Sequence, residues 1–333
     1  MRALLLGESG PALDERYIEP GEGALPAGEV LIRPTRMGVC STDLELCKGY
    51  MEFNGVLGHE FVGVVEAAAG DVDQSWVGQR IVGEINCVCG KCDMCLAGLK
   101  EHCRDRTVLG IMGRDGCFAE RFVLPAANLH AVPDNVDDDR AVFVEPLAAA
   151  LQILRQLTIE GRPYVTVLGD GRLGLLCTQV LSTLNATVRC VGKHEAKLGL
   201  CEKWGIKHRL LGDVGLRQDQ DIVVDCTGSA SGLTTAMAML RPRGTLVLKT
   251  TVAPGIPSAE GASSHELDLS PIVINELNVI GSRCGPFAEA LDWLSREAVD
   301  VVSLISKRMK LGDGPGVLEQ AGQPGVIKVL LSP

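Results

Sequence analysis

The sequence predicts an α/β protein of two domains, and three features carry that prediction. The first 125 residues are short apolar runs broken by Gly and Pro, the punctuation of a barrel-like β domain. From Tyr164 onward, continuous apolar strands alternate with helical stretches, the pattern of a doubly wound parallel sheet. A last strand at 326–331 falls outside that alternation and is expected to find its partners in the first domain. At 333 residues the chain can bury two cores, and with aromatics at 4% these must be built mainly from Val, Leu, Ile and Ala.

Composition removes several function classes. A net charge of −10 with scattered basic residues argues against a nucleic-acid surface, which needs clustered Lys and Arg. No window approaches the ~18 apolar residues of a membrane span, and the short run Met1–Leu6 lacks the features of a signal peptide, so a cytoplasmic protein is expected. Thirteen cysteines, an odd number, then point to metal binding or buried thiols before disulfides.

In the first domain, 3–6 and 29–34 read as strands, and Met37-Gly38-Val39-Cys40-Ser41-Thr42-Asp43 as a strand end entering a helix. Thr42 and Asp43 suit helix capping, which alone would explain them. Residues 56–67, Val-Leu-Gly-His-Glu-Phe-Val-Gly-Val-Val-Glu-Ala, form a β-rich run. Its Gly58-His59-Glu60 matters in company with Cys40 and Glu145. Thiolate, imidazole and carboxylate are zinc donors, and a catalytic zinc typically takes three protein ligands. Cys40, His59 and one of Glu60 or Glu145 could supply them, although Glu145 could also simply favour a helix N-terminus.

Between these stretches lie Cys89, Cys92, Cys95 and Cys103, spaced C-x2-C-x2-C-x7-C in a polar segment with no core of its own. Four thiolates this close predict a tetrahedral structural zinc, with an iron–sulfur cluster as the other known use of such spacing. Cys87 falls outside the spacing and reads as a packing residue.

The strand 164–168 runs into Gly169-Asp170-Gly171-Arg172-Leu173-Gly174 and then a helical stretch to about Asn185. This is G-x-G-x-x-G with a strand before and a helix after, the context in which it predicts dinucleotide binding. The second strand, 187–191, ends where an NAD site usually offers an acid to the ribose. Here stand Gly192, Lys193 and His194, with Lys197 a turn later. A carboxylate would repel a 2′-phosphate and cations would accept one, so charge leans this reading towards NADP over NAD, unless Lys193 and His194 are only a solvated loop. Further strands are expected at 221–228 and 245–249, with Thr227 at the cofactor edge, a helix near 232–240 and a loop region over 252–276.

The ordered motifs Gly38–Asp43, Gly-His-Glu, the cysteine lobe, Val144-Glu145-Pro146-Leu147 and the glycine fingerprint resemble the zinc-dependent medium-chain dehydrogenase/reductase family across essentially the whole chain. The resemblance implies a GroES-like β-barrel catalytic domain over 1–147, with the structural-zinc lobe at 87–104. A Rossmann domain over 148–284 and a return to the catalytic domain at 285–333 complete the expected organisation. It implies Cys40, His59 and Glu145 as zinc ligands, Glu60 as a carboxylate exchanging on the metal, and Asp43 orienting His59. Thr42 would pass the substrate proton outward. Many relatives carry a relay His five residues after the cysteine; this chain has Glu45, which could relay a proton with a different pH dependence. Another departure is Gln152, where some members have His.

The expected reaction is reversible hydride transfer between an alcohol, polyol or sugar-type substrate and NAD(P), with zinc as Lewis acid and closure of a cleft excluding water. The partners expected are that substrate and copies of this chain in a homodimer or homotetramer. Two rivals are a zinc-independent quinone or enone reductase of the same fold, which would lack the ligand set, and a non-enzymatic zinc-lobe interaction protein. Substrate contacts are expected from 46–54, 110–116 and 252–285; His265 and Arg283 could take part, but surface loop positions explain each of them better.

Overall fold

Strand Glu29–Gly38, ten residues long, is the spine of the N-terminal sheet in this computed structural model, which describes residues 1–21, 24–251 and 267–333. It pairs antiparallel with Glu60–Ala68 along nearly its whole length, with register shifts at Leu31/Ile32 and Pro34/Arg36. Pro34 has no N–H to give the ladder, so a slip beside it is where the sheet tolerates a proline. The seven-stranded sheet continues through Arg80–Gly83 to Leu129–Ala131 on one side and through Lys328–Ser332 to Ile305–Lys310 on the other. Phe122–Pro125 pairs with the start of the same spine. Val30, Ile32, Met37, Val62, Ile81, Leu124 and Leu330 have no or almost no exposed surface, so aliphatic side chains form most of this core.

The two ends of the spine matter differently. Near its start it meets Phe122–Pro125; at its end Gly38 lies between Glu60 of one neighbour and Leu330 of the other. The C-terminal strand therefore closes the sheet at the point where Cys40 emerges. Ile305–Lys310, running parallel to it, is not foreshadowed in the sequence: Ile-Ser-Lys-Arg-Met-Lys is largely exposed and lacks a period-two apolar pattern. It is an edge strand, where charge is at home.

The described residues divide into two compact units, Met1–Glu145 with Phe287–Pro333, and Pro146–Pro286. The second holds six parallel strands in the order 207–210, 187–192, 164–168, 220–225, 240–248, 278–281. In chain sequence this is 3-2-1-4-5-6, the doubly wound order with its switch point between the first and fourth strands. Helices Arg172–Ser182, Glu195–Lys203 and Ala230–Met239 connect them. Leu168, Val191, Val223, Leu233, Ala236 and Leu246 form one buried cluster. The first helix stops at Ser182, short of Asn185, because the Ser182 and Thr183 hydroxyls donate back to the Gln179 and Val180 carbonyls.

Of the stretch 252–276, residues 252–266 lie outside the described residues, His265 with them. The remainder contains a short helix, Ser270–Ile274, where a loop was expected. No helix among the described residues is long and apolar enough to cross a membrane.

Candidate active site and metal centres

Cys40 caps the helix Ser41–Leu46, and its backbone N–H donates to Asp43 Oδ2 at 2.7 Å. Asp43 therefore does cap the helix, as its position suggested, and its other oxygen points elsewhere. Asp43 Oδ1 lies 3.3 Å from His59 Nδ1, both side chains buried. This sets the imidazole with Nδ1 towards the carboxylate, leaving Nε2 as the donor for a ligand. Thr42 Oγ1 lies 3.6 Å from Cys40 Sγ. His59 is delivered by Gly58, whose φ of +93° and whose contact with the Phe118 ring exclude a side chain.

One ligand atom from each of Cys40, His59 and Glu60 lies within 4.8 Å of the others, with His59 and Glu60 buried and Cys40 half-buried. Glu60 Oε1 is buried with no hydrogen-bond partner among the described residues, while Glu60 Oε2 faces the Lys328 ammonium and His59 Nδ1 faces Asp43 Oδ1. A buried carboxylate oxygen left without a partner is costly in an apolar interior. Burial pushes the His59 pKa down, but Asp43 and Cys40 outweigh it and hold the imidazole well above its ordinary value. A group that gathers anionic donors around a buried imidazole fits a divalent cation, and sulfur, nitrogen and oxygen together fit zinc.

A residue the motifs did not reveal completes the site. Lys328, fully buried on the C-terminal strand, presses its ammonium against Glu60 Oε2, donates to Val39 O at 3.3 Å and lies 5.6 Å from the Phe143 ring centroid. Gly38 makes room for this pair: a Cβ there would stand 2.6 Å from Glu60 Oε2 and 2.6 Å from Lys328 Nζ. The signal was a lone Lys inside the apolar strand Val326–Leu331, which a strand facing only a hydrocarbon core would not carry.

Two expected participants stand apart. Glu145 opens the helix Val144–Gln156 and is not in the donor group of Cys40, His59 and Glu60. Glu45 is drawn outward: its carboxylate accepts from Lys48 Nζ at 2.8 Å, three residues on along the helical face, with 45% of its side chain exposed.

In the cysteine lobe the four sulfurs come together. Cys92 Sγ is 3.6 Å from Cys95 Sγ and 3.8 Å from Cys103 Sγ, and Cys103 Sγ is 3.5 Å from Cys89 Sγ. Four sulfurs about 2.3 Å from a tetrahedral zinc stand about 3.8 Å apart, so this spacing fits the ion. Backbone N–H groups contribute too: that of Cys89 donates to Cys103 Sγ at 3.3 Å. Those of Arg104 and Cys95 pull the Cys92 thiol down to about 6.

In the second unit Gly169, at φ +119°, turns the chain out of the strand Tyr164–Leu168 and packs against Cys226. Gly171 caps the helix Arg172–Ser182 without a side-chain oxygen and faces open space, so backbone can approach a phosphate there. Gly174 lies against Gly169 O, where any Cβ would overlap. Arg172 and Leu173, both half-buried, form the first turn behind it. Across the switch point Thr227 donates through its N–H and hydroxyl to Asp225 Oδ1, at 2.9 and 2.7 Å. Lys193 and His194 are exposed at the end of the second strand, and Lys197 is half-buried. The charge argument for NADP found no carboxylate at Gly192; the structure brings one there from Asp170, which accepts from the Lys193 and His194 N–H groups.

Comparison with known proteins agrees with this geometry. Residues 26–134 match the alcohol dehydrogenase GroES-like domain and residues 173–296 the zinc-binding dehydrogenase domain. L-threonine 3-dehydrogenase of Streptomyces avermitilis is 30% identical over 99% of both chains. A Sinorhizobium meliloti structure, described as a zinc-binding dehydrogenase bound to NADP, superposes with a TM-score of 0.83 at 29% identity, covering 100% of this chain and 99% of its own. An Escherichia coli alcohol dehydrogenase complexed with NADH gives 0.85 at 26% identity, over 100% of this chain and 99% of its own. The chain thus belongs to the zinc-type medium-chain dehydrogenase/reductase family, and it is an NAD(P)-dependent oxidoreductase of the alcohol dehydrogenase kind.

Proposed function

We propose that Cys40, His59 and Glu60 hold a catalytic zinc at which a secondary alcohol of the polyol, sugar or amino-alcohol type is oxidised, or its carbonyl reduced. The observation that carries the reading is the convergence of thiol, imidazole and carboxylate donors from Cys40, His59 and Glu60 within 4.8 Å of one another. Zinc would supply Lewis acidity that favours alkoxide over alcohol, and the nicotinamide would supply the hydride acceptor. Asp43 fixes His59 so that the imidazole does not rotate away from its working tautomer. Thr42, half-buried beside Cys40, carries the substrate hydroxyl proton outward through its own hydroxyl. We also assign Glu145, which opens the helix Val144–Gln156 outside that donor group, as the carboxylate that exchanges with Glu60 on the zinc. The sulfurs of Cys89, Cys92, Cys95 and Cys103 hold the structural zinc, and Gly169, Gly171, Gly174 and the first turn behind them hold the pyrophosphate.

We also expect a homodimer or homotetramer. Asn278–Gly281 is an edge strand of the parallel sheet with Val279 exposed, and Val273 and Ile274 just before it are 79% and 77% exposed. Exposed apolar groups beside an unpaired edge are a surface that association would cover. Thirteen cysteines with thiol ligands among them suit a reducing compartment, and we place the protein in the cytoplasm.

The test is a panel of alcohols, polyols, amino alcohols and aldehydes assayed with NAD and with NADP on zinc-loaded protein. Turnover of a secondary alcohol that disappears in Cys40→Ser supports the reading. Reduction of an enone or quinone that survives Cys40→Ser would replace it with the zinc-independent alternative.

A further inference from the structure

The end of the second strand of the parallel sheet already holds an anion, and the glycine loop supplies it. Asp170 stands between the first two glycines of the fingerprint and is 7% exposed. Its Oδ2 accepts from the backbone N–H groups of Lys193 and His194, at 2.8 and 2.6 Å. His194 Nδ1 lies 3.1 Å from both carboxylate oxygens. The carboxylate sits against Gly192 so closely that a Cβ at 192 would overlap Asp170 Cβ and Oδ2. Residue 192 is therefore glycine because another residue's acid fills its side-chain space.

The place has a defined chemical task. In a doubly wound dinucleotide fold the end of this strand meets the adenosine ribose, and a carboxylate there favours a free 2′-hydroxyl over a 2′-phosphate. Two consecutive backbone N–H groups beside Lys193 and His194 would otherwise make a phosphate cradle. Asp170 already occupies those donors, and it is a fixed negative charge where a second anion would have to enter. Its Oδ1 faces the His194 ring and, with a second lone pair, keeps acceptor capacity for a hydroxyl. Lys193 and Lys197 act in the opposite sense, attracting phosphate.

We propose that Asp170 is the residue of this chain that discriminates between the two nucleotides, acting against the 2′-phosphate in place of an acid at position 192. The proposal rests on the assignment of the glycine loop to NAD(P). Its test is equilibrium binding of NADH and NADPH, followed by nucleotide fluorescence with zinc-loaded protein and no substrate. The variants are Asp170→Asn and Asp170→Ser, the second retaining a small acceptor for the amides. Removing one charge a few ångströms from a phosphate should lower the ratio of the NADPH to the NADH dissociation constant by about tenfold or more. The change should persist at high salt, since salt screens a buried charge such as Asp170 far less than an exposed one. A ratio within about twofold of wild type in a variant that still binds both nucleotides overturns the role of Asp170. Failure of the wild-type protein to bind either nucleotide overturns the assignment of the loop and the proposal together.

Discussion

Lys328 and Glu60, distant in sequence and fully buried, meet as an ammonium against a carboxylate beside Cys40 and His59. The pair joins the last strand of the chain to the strand that carries the Gly-His-Glu motif. Its cost and its use are the same fact: a buried charge is tolerated only while it has a partner. Lys328→Met leaves the Glu60 carboxylate without its ammonium, and urea unfolding should show a loss of about 3–5 kcal/mol. Adding Glu60→Gln to that variant should recover a good part of it. A single-variant loss under about 1 kcal/mol would mean that the pair is not the buried interaction described here.

Gly38 is required by that pair and not by its backbone angles. Gly38→Ala puts a methyl group 2.6 Å from both charged atoms, and overpacking of this kind costs about 1–3 kcal/mol. Gly7→Ala, where a Cβ meets nothing within 4 Å, is the control and should stay within about 0.5 kcal/mol. Equal effects at the two sites, read by denaturant midpoints, would contradict the crowding.

The cysteine lobe should depend on its metal more than the rest of the chain does. Cys95→Ser removes one of four sulfurs from a segment with few buried apolar side chains. Metal analysis should then show one zinc lost per chain, and limited proteolysis should cut between Cys89 and Cys103. Zinc content and protease resistance equal to wild type would dismiss the structural site.

A tie just ahead of the Gly-His-Glu motif has a pH signature. Tyr17 donates its hydroxyl to Asp115 Oδ2 at 2.6 Å, and Asp115 Oδ1 accepts from the Val56 N–H at 2.9 Å, two residues before Gly58. Burial first, and then Asp115, push the Tyr17 pKa from 10.0 up to about 12. The folded state thus favours the protonated phenol. The contribution of this group to stability is complete below pH 10 and is lost as pH rises towards 12. Tyr17→Phe should flatten that part of the stability profile; an unchanged slope between pH 10 and 12 would show that the bond does not persist in solution.

Much of the site could be read from residue types and spacing. Four cysteines at that interval needed no fold to be grouped, and the glycine fingerprint could be placed because a strand precedes it and a helix follows. What escaped depended on distance along the chain. Lys328 meets Glu60 only because the C-terminal strand pairs with Glu29–Gly38, a register that no local motif reports. Asp170 looked like a spacer inside G-x-G-x-x-G, since its partners at 193 and 194 lie one strand away. Glu45 had the right place in the motif but also Lys48 one turn on, and the local ion pair prevails where the side chain is exposed.

Metal content measured beside turnover, in wild type and in Cys40→Ser, tests the central claim most directly. Two zinc ions per chain in wild type are expected, falling to one in the variant together with loss of alcohol oxidation. Wild-type protein that is stripped of zinc and still oxidises its alcohol at full rate would contradict it.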